Sequence, residues 1–464
     1  MSVKNSEKHN IKTAVILAGG KGTRLKPITD TIPKPMVEIC GKPVLEHQVL
    51  ILKKYGITDI YITVGYLGEK IEAYFGNGKI FGVNIYYIYE SMPLGTSGAL
   101  KYLEDNINED FLLIYGDVFF NIKLDELIAF HYRCSVSSKK IDATIVVHPS
   151  DHPYDSDLLE VDDDYLIKSI INKPHNEIVC SNIGNAGIYI LTPQIFDYIP
   201  ENQLSAEETS LNTNLPKNSS DFMQDIFPKM IIDNKKLYAY KTAEYIKDMG
   251  SHKRLAKVTN DFQNGKIFRL SKENKRPAIF IDRDGTIVEY VPFISKLDDL
   301  KIFPFSSQAI KAINKSDYLS IMVTNQPVVA MNLCDIETVN KMHHKIETFL
   351  GKDGAYFDDI FFCPHHPDKG YPEENPYYKR ECNCRKPATG MIEQARLRYN
   401  IDMEKSWIIG DTTRDIQTGI NAGIKTILVK TGKSGNDGRF TVKPDCVFNN
   451  ISEAVEFIVN YKLT

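Results

Sequence analysis

Short apolar runs recur along the chain and alternate with segments of helical period. TAVILAGG from Thr13, DIYITVG from Asp59, FLLIYGD from Phe111 and DATIVVH from Asp142 read as buried strands, each followed by a turn or a helix. That alternation predicts an α/β fold with a largely parallel sheet. The pattern weakens near Thr242–Arg254, and the polar stretch NDFQNGKIFRLSKENKRP follows. It then starts afresh with AIFIDRDG, LSIMVTNQ, DIFFCP, KSWIIGD and IKTILV as strands. Between them, SSQAIKAINKS and GMIEQARLRYN carry a helical period. Two α/β domains are expected, 1–258 and 277–464, joined by a linker at 259–276. The two strand series carry different motifs, so they are not a repeat. The polar stretch PENQLSAEETSLNTNLPKNSSDF reads as a surface excursion of the first domain.

Composition changes this picture little. The chain has 464 residues, 42% hydrophobic and 25% charged, as expected of globular domains with buried cores. A net charge of −4 argues against a nucleic-acid partner. No apolar run approaches the ~18 residues needed to span a bilayer, and no secretion signal is read at the start, so a cytoplasmic protein without a membrane partner is expected. In a reducing compartment its eight cysteines are expected as thiols or metal ligands.

Three stretches carry chemistry. In VILAGGKGTRLKPITDTIPKPM, Gly19, Gly20 and Gly22 break a strand and would let backbone amides approach a phosphate. Arg24 adds a fork of donors and Lys34 a point charge. A tight strand–helix turn alone would use the same glycines. In IFIDRDGTIV, Asp282 and Asp284 close a strand as two carboxylates that repel and attract a cation such as magnesium, or form a calcium-like turn. In the non-periodic loop CPHHPDKGYPEENPYYKRECNCRKP, Cys363, His365, Cys382 and Cys384 offer three thiolates and an imidazole. That donor set matches tetrahedral zinc with a closed shell, a structural role, with His366 as the nearest rival ligand.

The first string, with PLGTSGAL, YGD, NAGIYI and KDMGSHKRL, resembles the sugar-1-phosphate nucleotidyltransferases over residues 11–255. The resemblance implies a Rossmann-like domain. In it Gly19, Gly20, Gly22 and Thr23 hug the nucleotide, and Gly95 and Gly98 sit near its base. Arg24 holds the departing pyrophosphate and Lys34 the reacting phosphates. Asp117 and Asp248 hold magnesium, and Lys173 contacts the sugar phosphate. Asn172 stands where the family usually has Glu, and Gly250-Ser251-His252 replaces its Gly-Thr-Pro.

IFIDRDGTIV, IMVTNQ, RKP and WIIGDTTRD in that order resemble the haloacid dehalogenase superfamily over residues 277–435. This implies a second Rossmann-like domain. Asp282 is its nucleophile and Asp284 its acid and base. Thr324 and Lys386 hold the phosphoryl oxygens, and Asp282, Asp284 and Asp411 form the magnesium site. A zinc loop before RKP is similar to that of the heptose-bisphosphate phosphatases and histidinol-phosphatases, where Asn325 and Arg385 would contact substrate. Pro327-Val328-Val329-Ala330 departs from that group.

The fusion is then expected to remove the 7-phosphate of D-glycero-D-manno-heptose 1,7-bisphosphate and to activate the 1-phosphate with a nucleotide, GTP favoured. Its substrates are a nucleoside triphosphate and a sugar phosphate, and its cofactors magnesium and zinc. Homo-oligomerisation is left open. Two alternatives stand beside this: a hexose-1-phosphate transferase fused to a histidinol-phosphatase, or one fused to a degenerate phosphatase-like module.

Overall fold

The protein is seen here as a computed structural model. It describes residues 11–461 apart from 91, 139, 176–178, 202–218, 369, 371 and 372. The polar N-terminal tail and most of the expected surface excursion lie outside the described residues. The chain divides into two compact units. The first holds residues up to His148, Leu159–Asn172 and Asn185–Ser271; the second holds Pro149–Leu158, Lys173–Gly184 and the chain from Lys272.

In the first unit the strand Thr13–Leu17 lies mid-sheet, parallel to Asp59–Val64 on one side and Phe111–Tyr115 on the other. Ala14, Val15 and Ile16 have no exposed surface, as a strand covered on both faces requires. Asn84–Tyr89 extends the parallel part. Ile183–Leu191 runs antiparallel to Phe111–Tyr115, so the sheet is mixed. The chain leaves the central strand to one side and returns on the other. That reversal opens a crevice at the carboxyl ends of Thr13–Leu17 and Phe111–Tyr115, where α/β sheets bind ligands.

The second unit repeats the logic with a wholly parallel sheet. Its strand order is Asp359–Cys363, Leu319–Asn325, Ala278–Ile281, Trp407–Gly410, Lys425–Val429, Cys446–Phe448. The chain begins in the middle, at Ala278–Ile281, and again reverses direction around it. Asp282, Thr324 and Asp411 therefore emerge at adjacent strand ends.

The segment expected as a linker is largely helical. Ser251 caps the helix His252–Gln263, and Lys266–Arg269 adds a further turn. Val258 and Ile267 are buried with Ile39, Val44, Phe119 and Tyr245, and Tyr245 Oη donates to Asp261 at 3.0 Å. Among the described residues, no helix is long and apolar enough to cross a membrane.

Candidate active sites

The first crevice holds a cavity of about 350 Å³ lined by Gly19, Gly20, Gly22, Lys34, Gly95 and Asp117, among others. Gly22 has φ 62°, and a Cβ there would lie 3.0 Å from side-chain carbons of both Lys34 and Thr29. The glycine thus brings the turn down onto Lys34. The Lys34 ammonium pairs with Asp117, two residues past the strand end at Tyr115. The Met249 N–H donates to Asp117 O at 3.0 Å, setting Asp248 and Asp117 side by side. Asp248 Oδ1 accepts from Arg254 Nη1 at 2.8 Å and from the Gly250 N–H at 2.9 Å. Burial works to raise the Asp248 carboxyl, but the Gly250 N–H, Arg254 and Lys34 carry it below the usual range. A Cβ on Gly250 would sit 2.7 Å from Arg24 Nη2, so Arg24 reaches this same cluster. Arg24, Lys34, Asp117 and Asp248 come together in one cluster.

The remaining expected residues scatter. Thr23 is exposed and Gly98 buried, and neither lines the cavity. Lys173 falls in the segment that groups with the second unit, where its ammonium is 3.7 Å from Asp157.

In the second unit, Lys386 Nζ lies 2.8 Å from Asp282 Oδ1 and 2.5 Å from Asp415 Oδ1. Ligand atoms of Asp282, Asp411 and Asp415 all lie within 4.8 Å of one another, and all three residues are buried. Burial and the neighbouring carboxylates push Asp411 up to about 8. Burial and Asp415 push Asp282 up to about 6, against the pull of Lys386. Asp282 and Asp415 share the Lys386 ammonium, and among the described residues Asp411 Oδ1 is buried without a hydrogen-bond partner. Such a set fits a hard divalent cation.

The Asp284 carboxylate lies outside this three-member cluster. It accepts instead from Arg283 Nε and Nη2, at 3.0 and 2.9 Å, and from Gln326 Nε2 at 2.9 Å. The turn at Gly285, with φ 79°, follows immediately and breaks the strand geometry that would align it with Asp282. Thr324 is buried, its Oγ1 accepting from Gln326 Nε2 at 2.9 Å. Asn325 and Lys386 exchange hydrogen bonds: Nδ2 to O at 3.1 Å, and N–H to Oδ1 at 2.9 Å. That clamp seats Lys386 against the end of the central strands.

Just upstream, Cys363, His365, Cys382 and Cys384 converge. The three sulfurs are 3.2–3.5 Å apart, and His365 Nδ1 is 3.4 Å from Cys384 and 3.7 Å from Cys363. These are close to the edges of a tetrahedron around a zinc-sized ion, given Zn–S of about 2.3 Å. Hydrogen bonding from Cys363 holds the Cys384 thiol down at about 5, and that proton sharing raises Cys363. Arg385 Nη1 donates to His365 O at 3.0 Å, so the cluster reaches the residue beside Lys386.

Comparison with known proteins bears on both halves. A model described as nucleotidyl transferase matches residues 13–265, more than half of the chain. The chain belongs to the nucleotidyl transferase family. A model described as HAD-hydrolase-like matches residues 383–454, so this nucleotidyl transferase carries a C-terminal HAD-like domain. It is 34% identical over 258 residues to the bifunctional protein GlmU of Methanococcus maripaludis, covering 56% of each chain. It thus spans little more than half of that relative. It is 35% identical over 278 residues to the mannose-1-phosphate guanyltransferase of Eremothecium gossypii, covering 59% of this chain and 69% of the other. Among solved structures, HddC from Yersinia pseudotuberculosis is 29% identical, with 54% of this chain and all of that one covered and a TM-score of 0.44. The D,D-heptose 1.7-bisphosphate phosphatase from B. bronchiseptica is 31% identical, with 39% and 96% covered and a TM-score of 0.35.

One residue of this nucleotidyl transferase escaped the sequence reading. Glu90 lines the cavity, and its Oε1 lies 2.5 Å from where a Cβ on Gly19 would be. Burial raises its carboxyl, against hydrogen bonds from Thr63 and the Leu94 N–H. Nothing in YESMP marks it, because it enters the site only through the pairing of its strand. Asp415 was visible: Thr412-x-x-Asp415 is a capping-box spacing, and the box forms. Asp415 Oδ2 caps the helix while Oδ1 holds Lys386.

Proposed function

We propose that the chain is a bifunctional enzyme of nucleotide-activated heptose synthesis. A phosphatase domain from residue 277 removes the 7-phosphate of D-glycero-D-manno-heptose 1,7-bisphosphate. A transferase domain reaching residue 258 then couples heptose 1-phosphate to a nucleotide, with GTP favoured, and releases pyrophosphate. The setting is the cytoplasmic supply of surface-glycan precursors.

The carrying observation is that each strand-reversal crevice gathers cations and carboxylates suited to phosphate chemistry. In the transferase, an oxygen of the sugar phosphate attacks the α-phosphorus of the triphosphate, and the bond to the departing pyrophosphate breaks. The nucleophile is already anionic and needs no base. Arg24 and Lys34 supply positive charge where two anions meet, which is the main demand of phosphoryl-type transfer. The Gly19–Gly22 turn and Gly95, which line the cavity, take the nucleotide. Asp117 and Asp248 would hold magnesium, which supplies charge neutralisation. The Glu90 carboxylate supports the guanine choice, since it offers only acceptors and guanine presents N–H donors along its pairing edge.

In the phosphatase, Asp282 attacks the phosphorus and the alcohol leaves, giving an aspartyl-phosphate that water then hydrolyses. Thr324 and Lys386 hold the phosphoryl oxygens, Asn325 and Arg385 the substrate, and Asp284 moves the protons. Asp282 and Asp411 would hold magnesium, with Asp415 steering Lys386. Cys363, His365, Cys382 and Cys384 would hold a structural zinc. The Pro327–Ala330 stretch, which departs from the phosphatase group, is what favours a degenerate module. Val328, Val329 and Ala330 are buried, and the loop leaves the catalytic set assembled. Incubating the chain with the bisphosphate, magnesium and each triphosphate tests the proposal. Phosphate and pyrophosphate should both appear, with the largest pyrophosphate yield from GTP. Phosphate release that survives Asp282→Asn would remove the assigned nucleophile.

A further inference from the structure

Arg283 is fully buried between the two motif aspartates, and Gln326 is 2% exposed. A buried guanidinium costs several kcal/mol unless it is well paired. Among the described residues its carboxylate partner is Asp284 alone. Arg283 Nη2 lies 2.9 and 3.1 Å from the two Asp284 oxygens and donates at 2.7 Å to Gln326 Oε1. The Gln326 amide turns its Nε2 to Asp284 Oδ2 and Thr324 Oγ1, each at 2.9 Å. One side chain thus spans the acid, the residue placed on the phosphoryl group, and the buried cation between Asp282 and Asp284. An amide suits this place, because it accepts from the guanidinium through one end and donates to both oxygens through the other.

Resting on the phosphatase reading above, we propose that Gln326 is a positioning residue that fixes the Asp284 carboxyl relative to Thr324, so that the acid meets the leaving oxygen. In the first step Asp282 Oδ bonds to phosphorus, the phosphorus–alkoxide bond breaks, and Asp284 gives its proton to the alkoxide. In the second, Asp284 takes a proton from water, the water oxygen bonds to phosphorus, and Asp282 leaves as carboxylate. A sugar alkoxide is a poor leaving group and depends on that proton. A nitrophenolate departs without it.

The test is therefore leaving-group dependence, with heptose 1,7-bisphosphate against nitrophenyl phosphate. Gln326→Met keeps the volume and loses every hydrogen bond; Gln326→Asn keeps the amide but is too short to bridge. Both are compared after thermal melts match the unaltered chain, with Asp284→Asn as the reference for loss of the acid. General acid catalysis is worth about 10²–10⁴ in rate, so losing its alignment should lower kcat on the bisphosphate at least about tenfold in Gln326→Met. On nitrophenyl phosphate kcat should stay within about threefold, as loss of the Thr324 contact alone falls mainly on KM. Gln326→Asn should show the same selectivity, less strongly. Equal loss on both substrates in a folded variant, or no loss on the bisphosphate, overturns the positioning role. An unaltered chain that releases phosphate from neither substrate overturns the phosphatase reading itself, and the inference with it.

Discussion

Gly95 has no room for a side chain. Its φ is 80°, and a Cβ would lie 2.2 Å from Ser220 O, a backbone atom that cannot step aside. Gly95→Ala should therefore cost about 1–3 kcal/mol of local strain and open the cavity wall. The expected readout is a lower melting temperature with pyrophosphate release reduced at least about tenfold; unchanged kinetics would show that the wall plays no part in nucleotide binding. Glu90 makes a sharper prediction. Glu90→Gln exchanges one acceptor for a donor, so kcat/KM for GTP should fall relative to that for UTP. The same residue gives a pH dependence. Burial raises its carboxyl, so protonation on acidification begins at higher pH than for an ordinary glutamate, near 4.3. Protonation removes an acceptor, so KM for GTP should rise as pH falls toward that range, and this rise should be absent in Glu90→Gln. A KM profile identical in the two proteins would detach Glu90 from the base.

Among the elements, the loop from Cys363 to Cys384 has the most to explain, since among its described residues there is no helix or strand after the strand Asp359–Cys363. Asn375 N–H donates to Ala330 O at 2.9 Å and His366 N–H to Tyr378 O at 3.2 Å, and turn-type backbone bonds link Asn375 to Tyr378 and Lys379. A metal at the Cys₃His cluster would supply the missing order, because metal-binding energy is folding energy in such loops. Cys384→Ser should drop zinc content well below one per chain and reduce phosphate release at least about tenfold while pyrophosphate release from heptose 1-phosphate persists. Full phosphatase activity in a zinc-free chain would deny the loop its role. The ligand set was legible because four soft donors in a stretch without period have few other uses. The strands were legible for a related reason: runs buried on both faces cannot tolerate polar residues. The helix His252–Gln263 was also written in the chain, in Leu255, Val258 and Phe262 at helical spacing. Its polar composition concealed it, since a helix burying one narrow stripe looks like a linker by content. The orientation of Asp284 was not legible. The turn at Gly285 and a glutamine just past another strand decide it, and the glutamine is distant in sequence.

At the scale of the whole chain, both domains place their charges where a sheet reverses its strand order, yet the two chemistries run in opposite senses. On the proposed reading one makes a phosphoanhydride bond with release of pyrophosphate, and the other hydrolyses a phosphate ester. A chain of net charge −4 can do this on anionic substrates because its cations are concentrated: Lys34 and Arg24 in one crevice, Lys386 in the other. If both act on one sugar, the order is set by chemistry. The 7-phosphate adds close to two negative charges to a substrate that must enter a transferase site already receiving a triphosphate. Removing it first lowers that repulsion, so the phosphatase should precede the transferase. With heptose 1,7-bisphosphate, GTP and magnesium, phosphate should then appear at once and pyrophosphate after a lag. The lag should shorten in proportion to added enzyme, as two sequential solution steps require. In Asp282→Asn, pyrophosphate release from the bisphosphate should fall by at least about tenfold, whereas heptose 1-phosphate should restore the full rate, because the substitution leaves Arg24, Lys34, Asp117 and Asp248 untouched. Pyrophosphate that appears without a lag, and equally fast in Asp282→Asn, would mean the transferase accepts the bisphosphate directly, and the order argued from charge would be wrong.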